Sequence, residues 1–482
     1  MGRLADGAVS ADHADPAELG VLDAAAALRA RRLSSLELVD ACLSRVEAGN
    51  GGPPSFDGAA SALNAWVRLY PEQARAEAEE ADRRLAAEGG DAPLLCGIPL
   101  GLKDIYALGG RPLTASSRVL DEEPAPRDAA VVARLRRDGM VVLGHTHTHE
   151  FAAGGTTDQV GNPFDLTLSA GGSSGGSAAA LAARMVPAAL GTDTCGSLRI
   201  PSACCGTSAI KPTHGRVSLE GIVPLAPSLD HAGPMARTVA DAAALLSAMA
   251  TVPETSALMP PSAPLGQLPL RATDGHRPLE GRTVALGEPQ AEFPWDPAVV
   301  AGFEVAHRAL VALGARVVAA PHLPLSWEDL NAVLLTEMWQ YHSRFAGRRD
   351  RYRPAVAQLL EASEAFDDGR AYFSAQLARS AAAAAYEEWF AANEVDLLCE
   401  PTLPLLPPPR GEGYDRGHAG GVGDPLIALS ARWDMTGMPV VSLPVDWNVG
   451  VSLVALRGQE PLVVQAGIDL QTRALGVPSP PL

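Results

Sequence analysis

The stretch AGGSSGGSAAALAARM, Ala170 to Met185, is the feature that most constrains the chain: seven of its first eight residues are Gly or Ser. Such residues carry little side chain and much backbone freedom, the composition of a linker. Yet the run opens at once into AAALAARMV, a strong helix former. A Gly-rich loop leading into a helix lets backbones approach closely and presents N–H groups at low steric cost. It lacks the Gly-Lys-Ser/Thr ending of a phosphate-binding loop, and no G-x-G-x-x-G follows a strand here. What the run does is therefore decided by the segments around it.

Those segments alternate. SSLELVDACLSRVEAG reads as a helix, with Ser34 and Glu37 at capping-box spacing and Leu36, Val39, Leu43 and Val46 on one face. YPEQARAEAEEADRRLAAEGG is a second, largely solvated helix. LLCGIPLGLKDIYALGG is a buried strand entering a loop, AAVVARLRRDG an amphipathic helix, and MVVLGHTHTHEF a strand with its exit. RTVALGEPQ, DPAVVAGFEVAHRALVALGA and RVVAAPHLPL form one more β-α-β unit. Strands alternating with helices predict an α/β fold with parallel pairs. Residues 1–16 read as a loose tail. The Pro/Ser/Gly-rich segment at about 250–282 reads as a surface excursion within one domain spanning 17–482, because the strands after it are too few to close a second core.

Among the 482 residues, 47% are apolar and 20% charged, enough for a sizeable core and too few charges for a disordered chain. Acidic residues outnumber basic ones, 56 to 38, for a net charge of −18. With no basic excess to neutralise phosphates, neither nucleic acid nor an anionic membrane is an expected partner. No run approaches the ~18 apolar residues of a membrane span. The first twenty residues hold Asp, His and Pro where a signal peptide needs an apolar stretch, so a cytoplasmic location is expected. The six cysteines, Cys42, Cys96, Cys195, Cys204, Cys205 and Cys399, are scattered, with no metal-binding spacing, and reduced thiols are expected.

Upstream of the Gly/Ser run lies GIPLGLKDIY, residues 97–106, and downstream GTDTCGSLRIPSACCGTSAIKPTHGRVS, residues 191–218. Together the three blocks resemble the amidase signature family, hydrolases that cut amide bonds with a Ser-Ser-Lys triad. GHTHTHEFAAGGTTDQVGNPFDLTLSAGGSSGG, VPLAPSLDHAGPMARTVADAAALL, DLLCEPTLPLLPP and WDMTGMPVVSLPV extend the resemblance from about residue 20 to 470. It implies a single large α/β domain, a central mixed twisted sheet covered by helices on both faces. It also implies roles. Lys103 stands at the catalytic lysine, Ser173 at the bridging serine, which the family holds through a cis peptide after Gly172, and Ser197 at the nucleophile. The two serines are 24 residues apart, the usual family spacing. The oxyanion hole would come from the backbone N–H groups of Thr194, Cys195, Gly196 and Ser197, with Asp193 and Arg199 holding the loop.

The chemistry fits these residue types. A serine hydroxyl is a poor nucleophile until its proton is taken, and a lysine can take it only when neutral, which requires burial. No cofactor or metal is implied. His145, His147 and His149 raise a zinc reading, since alternate strand residues share a face, but only His149 aligns with a histidine of the family block, and structural hydrogen bonding is the expectation. Cys195 departs from the family's frequent Gly; as a rival nucleophile it has no histidine neighbour in a known pattern. Trp339 and Tyr341, in EMWQYH, are candidates for the substrate pocket. Loops at 110–125, 320–345 and 405–440 are expected to shape it. The leading expectation is a stand-alone amidase converting a carboxamide or N-acyl amine to an acid plus ammonia or amine, acting on a small molecule. The alternatives are the glutaminase subunit of a tRNA-dependent amidotransferase and an inactive binding member. Oligomeric state is open, a homodimer being one option.

Overall fold

The computed structural model describes residues 15–251, 264–321, 326–364, 366, 369–411 and 424–481. Residues 1–14 of the expected tail and 252–263 of the expected excursion lie outside the described residues. Pro16 already belongs to a short helical turn, Pro16–Glu18, capped by the Asp15 carboxylate.

Eleven strands form one mixed sheet: β1 (Trp66–Leu69), β2 (Pro99–Lys103), β3 (Val141–Thr146), β4 (Ala188–Asp193), β5 (Ser208–Lys211), β6 (His231–Ala236), β7 (Thr283–Leu286), β8 (Arg316–Ala319), β9 (Leu397–Pro401), β10 (Val440–Asp446) and β11 (Val449–Val454). Their order across the sheet is β1-β3-β2-β4-β6-β5-β10-β11-β9-β7-β8. The pairs β2–β3, β2–β4, β7–β8 and β7–β9 are parallel and the rest antiparallel. Strands β2, β3, β4, β6 and β11 are buried along their whole length. That is the signature of a sheet covered on both faces, and it explains why these segments read as continuous apolar runs. The β7-helix-β8 unit joins the same sheet, so the segments on both sides of the Pro-rich stretch share one core. No helix among the described residues is long and apolar enough to cross a membrane.

The helices begin where their sequences say. Ser34 and Glu37 make a complete capping box at the start of the helix Ser35–Gly49. The helix Gly175–Ala182, which ends the Gly/Ser run, is buried at every residue. Its glycines allow this: a Cβ at Gly176 would lie 2.4 Å from the backbone N of His147 and 2.6 Å from the carbonyl oxygen of Ala65. The run is thus a backbone-to-backbone packing seam.

Far from that seam, a buried ion pair joins the segment after β5 to the last long helix, Glu460–Leu470. Arg216 donates to Glu460 through Nε at 2.9 Å and Nη2 at 3.3 Å, and Glu460 also accepts the Thr213 N–H at 3.1 Å. Both side chains are fully buried. Removing one member of such a pair strands the other charge, at about 3–5 kcal/mol. Glu460→Ala is therefore expected to lower unfolding stability by that amount in urea titration, whereas an exposed pair such as Arg83 with Glu80 is expected to contribute under about 1 kcal/mol when broken.

Candidate functional site

Strands β2 and β4 run parallel with Leu102 opposite Leu190, so their carboxyl ends emerge at the same edge. In open α/β sheets that edge is where ligands bind. Lys103 closes β2 and Asp193 closes β4. The Lys103 side chain is fully buried, and its Nζ donates to Ser173 Oγ at 2.7 Å and to Thr192 Oγ1 at 2.8 Å. Burial pulls its pKa from 10.5 down to about 7, against the opposing pull of the Asp193 and Asp230 carboxylates.

Ser173 lies just before the buried helix, and the Gly172–Ser173 peptide is cis. The Ser173 carbonyl accepts the His149 N–H at 2.9 Å and the Thr157 hydroxyl at 3.3 Å. Only glycine fits at 172: a Cβ there would sit 2.0 Å from the Thr156 carbonyl oxygen. Ser197, only 7% exposed, lies on the neighbouring loop, and its carbonyl accepts the Ser174 N–H at 3.3 Å. Lys103, Ser173 and Ser197 are therefore brought to one spot by two loops and a strand end.

The Ser197 loop is wrapped around the Asp193 carboxylate. It accepts the N–H of Gly196 at 2.5 Å and of Leu198 at 3.2 Å, and two Arg199 nitrogens at 2.8 and 2.9 Å. Burial alone would raise the Asp193 pKa, but the Arg199 guanidinium outweighs it and holds the carboxyl below the usual range. Arg199 reaches further, to the Ser430 carbonyl at 3.0 Å and Asp434 Oδ2 at 2.6 Å. Gly196 has φ +130°, and a Cβ there would lie 2.3 Å from Ser430 Oγ. Its assignment as an oxyanion donor needs correction: its N–H points at Asp193, so Gly196 shapes the turn. The N–H groups of Thr194, Cys195 and Ser197 have no protein acceptor among the described residues.

Thr194 ties this loop to the next. Its hydroxyl donates to Asp230 Oδ1 at 2.6 Å, and Asp230 also accepts the N–H groups of Leu225 and Ala226 at 3.0 and 3.2 Å. A cavity of about 230 Å³ opens beside Thr192, walled by Ile105, Leu219, Ile222, Val223 and Leu225 with Asp230 at one side. Much of this cavity's wall comes from residues 219–230; of the loops expected to shape the substrate pocket, 322–325 and 412–423 lie outside the described residues. Sequence reasoning gives no role to Thr192, Asp230, Ser430 or Asp434. Thr192 and Asp230 sit inside quoted blocks, GTDT and SLDHAGP, but nothing local marks which hydroxyl meets the lysine.

The remaining candidates separate from the site. Trp339 is 45% exposed on the helix Trp327–His342. Tyr341 packs edge-on against Phe151 and His342 and under Arg344. Neither lines the cavity beside Thr192; helical periodicity turns Trp339 to solvent and Tyr341 into an aromatic cluster. Glu337 of the same helix accepts the Ser228 N–H at 2.8 Å and the Tyr372 hydroxyl at 2.7 Å. His145 bonds Tyr70 and the Tyr106 carbonyl, and His147 bonds the Ser55 carbonyl and Gln159, each ring held by the protein itself. His149 Nδ1 meets the Thr156 carbonyl at 2.9 Å. Cys195 packs in an apolar cluster with Ala226, Leu330 and Val333, and burial pushes its thiol well above the usual range. A thiolate is disfavoured there.

The sequence pattern of the Amidase family matches residues 55–464. The chain is 35% identical to a glutamyl-tRNA(Gln) amidotransferase subunit from Ralstonia nicotianae, over 91% of this chain and 94% of that one. It is also 35% identical to the protein of the same name from Halorhodospira halophila, over 94% and 96%. Among solved structures it resembles the native peptide amidase from Stenotrophomonas maltophilia, with TM-score 0.77 and 28% identity over 96% of this chain and 98% of that one. The 6-aminohexanoate cyclic dimer hydrolase gives TM-score 0.82 and 28% identity over the same shares. The relatives named for a tRNA-linked amidotransferase overturn the expectation of a chain with no nucleic-acid partner. Net charge governs how one surface meets phosphate; it does not bear on what further subunits carry. The extent of these matches shows that the chain belongs to the amidase family.

Proposed function

We propose that this chain hydrolyses a carboxamide through an acyl-enzyme on Ser197, and that it does so as the glutaminase component of an amidotransferase. The observation that carries the hydrolytic reading is the buried Lys103 amine 2.7 Å from Ser173 Oγ, with a pKa of about 7. Neutral Lys103 takes the proton of Ser173, and Ser173 takes that of Ser197. Ser197 Oγ then attacks the carbonyl carbon, and the new oxyanion is received by the N–H groups of Cys195 and Ser197, donors of about 3–4 kcal/mol each in such sites. Collapse breaks the C–N bond, and the departing amine takes its proton back by way of Ser173. Water repeats the attack on the ester and frees the acid. Thr192 holds the lysine, and Asp193 with Arg199 holds the loop.

The glutaminase component is supported by the full-length likeness to the amidotransferase relatives. A stand-alone amidase is favoured by a different observation. The cavity is apolar apart from Thr192, whose hydroxyl accepts from Lys103, and Asp230, whose carboxylate is already taken by Thr194, Leu225 and Ala226. That lining suits an apolar amide better than an amino acid.

Ser197→Ala is expected to lower turnover roughly 10⁴-fold or more, the scale for losing an activated serine, with an unchanged urea unfolding curve. A covalent adduct on Cys195 by mass spectrometry would overturn the assignment. kcat/KM should rise with pH through one ionisation near the Lys103 value of about 7 and then plateau. The unfolded chain holds this proton up to about 10.5; below about 7 the amine is charged in both states and burying the ammonium opposes folding in full, and stability rises from there to about 10.5. Lys103→Arg stays charged and is expected to be inactive at every pH; wild-type activity in that variant would make Lys103 a structural cation only. The two physiological readings separate on substrate and company. Faster ammonia release from glutamine than from hexanamide, together with copurification of a second protein chain, supports the amidotransferase component. The reverse preference from the chain alone supports the free amidase.

A further inference from the structure

The other half of the sheet carries a second crevice with the same geometry as the first. From β7 the chain crosses through the helix Pro297–Ala312 to β8, then returns to place β9 on the opposite flank of β7, and all three strands are parallel. Where successive strands leave in opposite directions, the carboxyl ends splay and open a binding crevice. A cavity of about 250 Å³ lies there, lined by Gly287, Glu288, Ala320, Leu398, Glu400 and Arg432. Its floor is open because residue 287 is glycine: a Cβ would lie 2.9 Å from the Glu400 Cβ.

The floor is charged and incompletely satisfied. Glu400 is buried, pairs with Arg432 Nη2 and accepts the Trp433 Nε1–H at 2.6 Å. Arg432 is only 9% exposed and lies 4.9 Å over the Trp433 ring. Its Nε–H is buried and makes no hydrogen bond among the described residues. A buried guanidinium donor without an acceptor is costly and calls for a partner. One guanidinium faces two carboxylates, Glu400 and the exposed Glu288. That balance repels a multiply charged anion and suits a molecule carrying both an acceptor for Arg432 and a cation for the carboxylates.

We propose that this crevice is a second ligand site, for a small zwitterion whose carboxylate takes the Arg432 Nε–H and whose ammonium faces Glu400 and Glu288. The site does not depend on the catalytic reading above. It is wired to the Ser197 loop: Arg432 belongs to the short helix Ala431–Met435, next to which Ser430 Oγ donates to the Cys195 carbonyl at 2.5 Å, while Asp434 accepts from Arg199.

Calorimetric titration of the full chain with L-alanine and L-glutamate, against acetate and methylamine, tests it. The zwitterions are expected to bind saturably and more tightly than either half-ligand. Arg432→Met is expected to weaken them about tenfold or more, the loss of a charge-assisted bond. Ala320→Phe, which fills the crevice without touching the ion pair, should do the same if Arg432→Met fails to fold. Leu219→Trp, which fills the cavity beside Thr192, should leave binding intact. The proposal is overturned by any of four results: no saturable binding, acetate as tight as the zwitterions, binding indifferent to Ala320→Phe, or binding lost in Leu219→Trp.

Discussion

The Asp193 carboxylate is the point on which the rest of the site depends. It terminates β4, gathers two backbone N–H groups of the turn that carries Ser197, and neutralises Arg199 in a fully buried pair. Arg199 in turn reaches Ser430 and Asp434, so a loop at the sheet centre is pinned to a helix more than two hundred residues later. A buried guanidinium tolerates such a place only when its donors are matched by fixed acceptors, and here Asp193, Asp434 and a carbonyl supply them. The arrangement gives the Ser197 loop one shape with no regular secondary structure of its own.

The same carboxylate sets the electrostatics of Lys103. Burial removes the stabilisation of the ammonium, while Asp193 and Asp230 restore part of it, and the balance falls at about 7. A fully isolated lysine would be a permanent neutral amine and a weak proton donor; one with a direct carboxylate contact would stay charged and could not accept. The hydroxyls of Ser173 and Thr192 at 2.7 and 2.8 Å give the amine partners of no charge, and so leave the balance to the more distant acids. Lys211, also buried, is drawn to about 7 as well, on the other side of the Asp434 network.

Much of this is legible along the chain because it is carried by local patterns. The capping box at Ser34 and Glu37, the apolar runs of β2, β3 and β4 and the Gly/Ser run entering an Ala-rich helix all state their conformations within a few residues. Lys103, Ser173 and Ser197 can be named because each sits in a distinctive block. The direction in which a single group points is not legible in this way. Gly196 reads as an oxyanion donor because it lies in the right tetrapeptide, but the direction of one N–H depends on where Asp193 points. Trp339 and Tyr341 are chosen for their chemistry, but the turn of their helix exposes Trp339 and sets Tyr341 against Phe151 and His342.

By itself, then, the sequence determined the alternating α/β elements, the family and the three residues of the proposed relay, because each is encoded in contiguous spacing. Tertiary structure alone decided the strand order that sets β7 between β8 and β9, the walls of both cavities, and the contacts of Thr192, Asp230 and Asp434. Those contacts join residues tens to hundreds of positions apart. Their geometry follows from how helices and strands pack around a common core, and no local pattern carries that information.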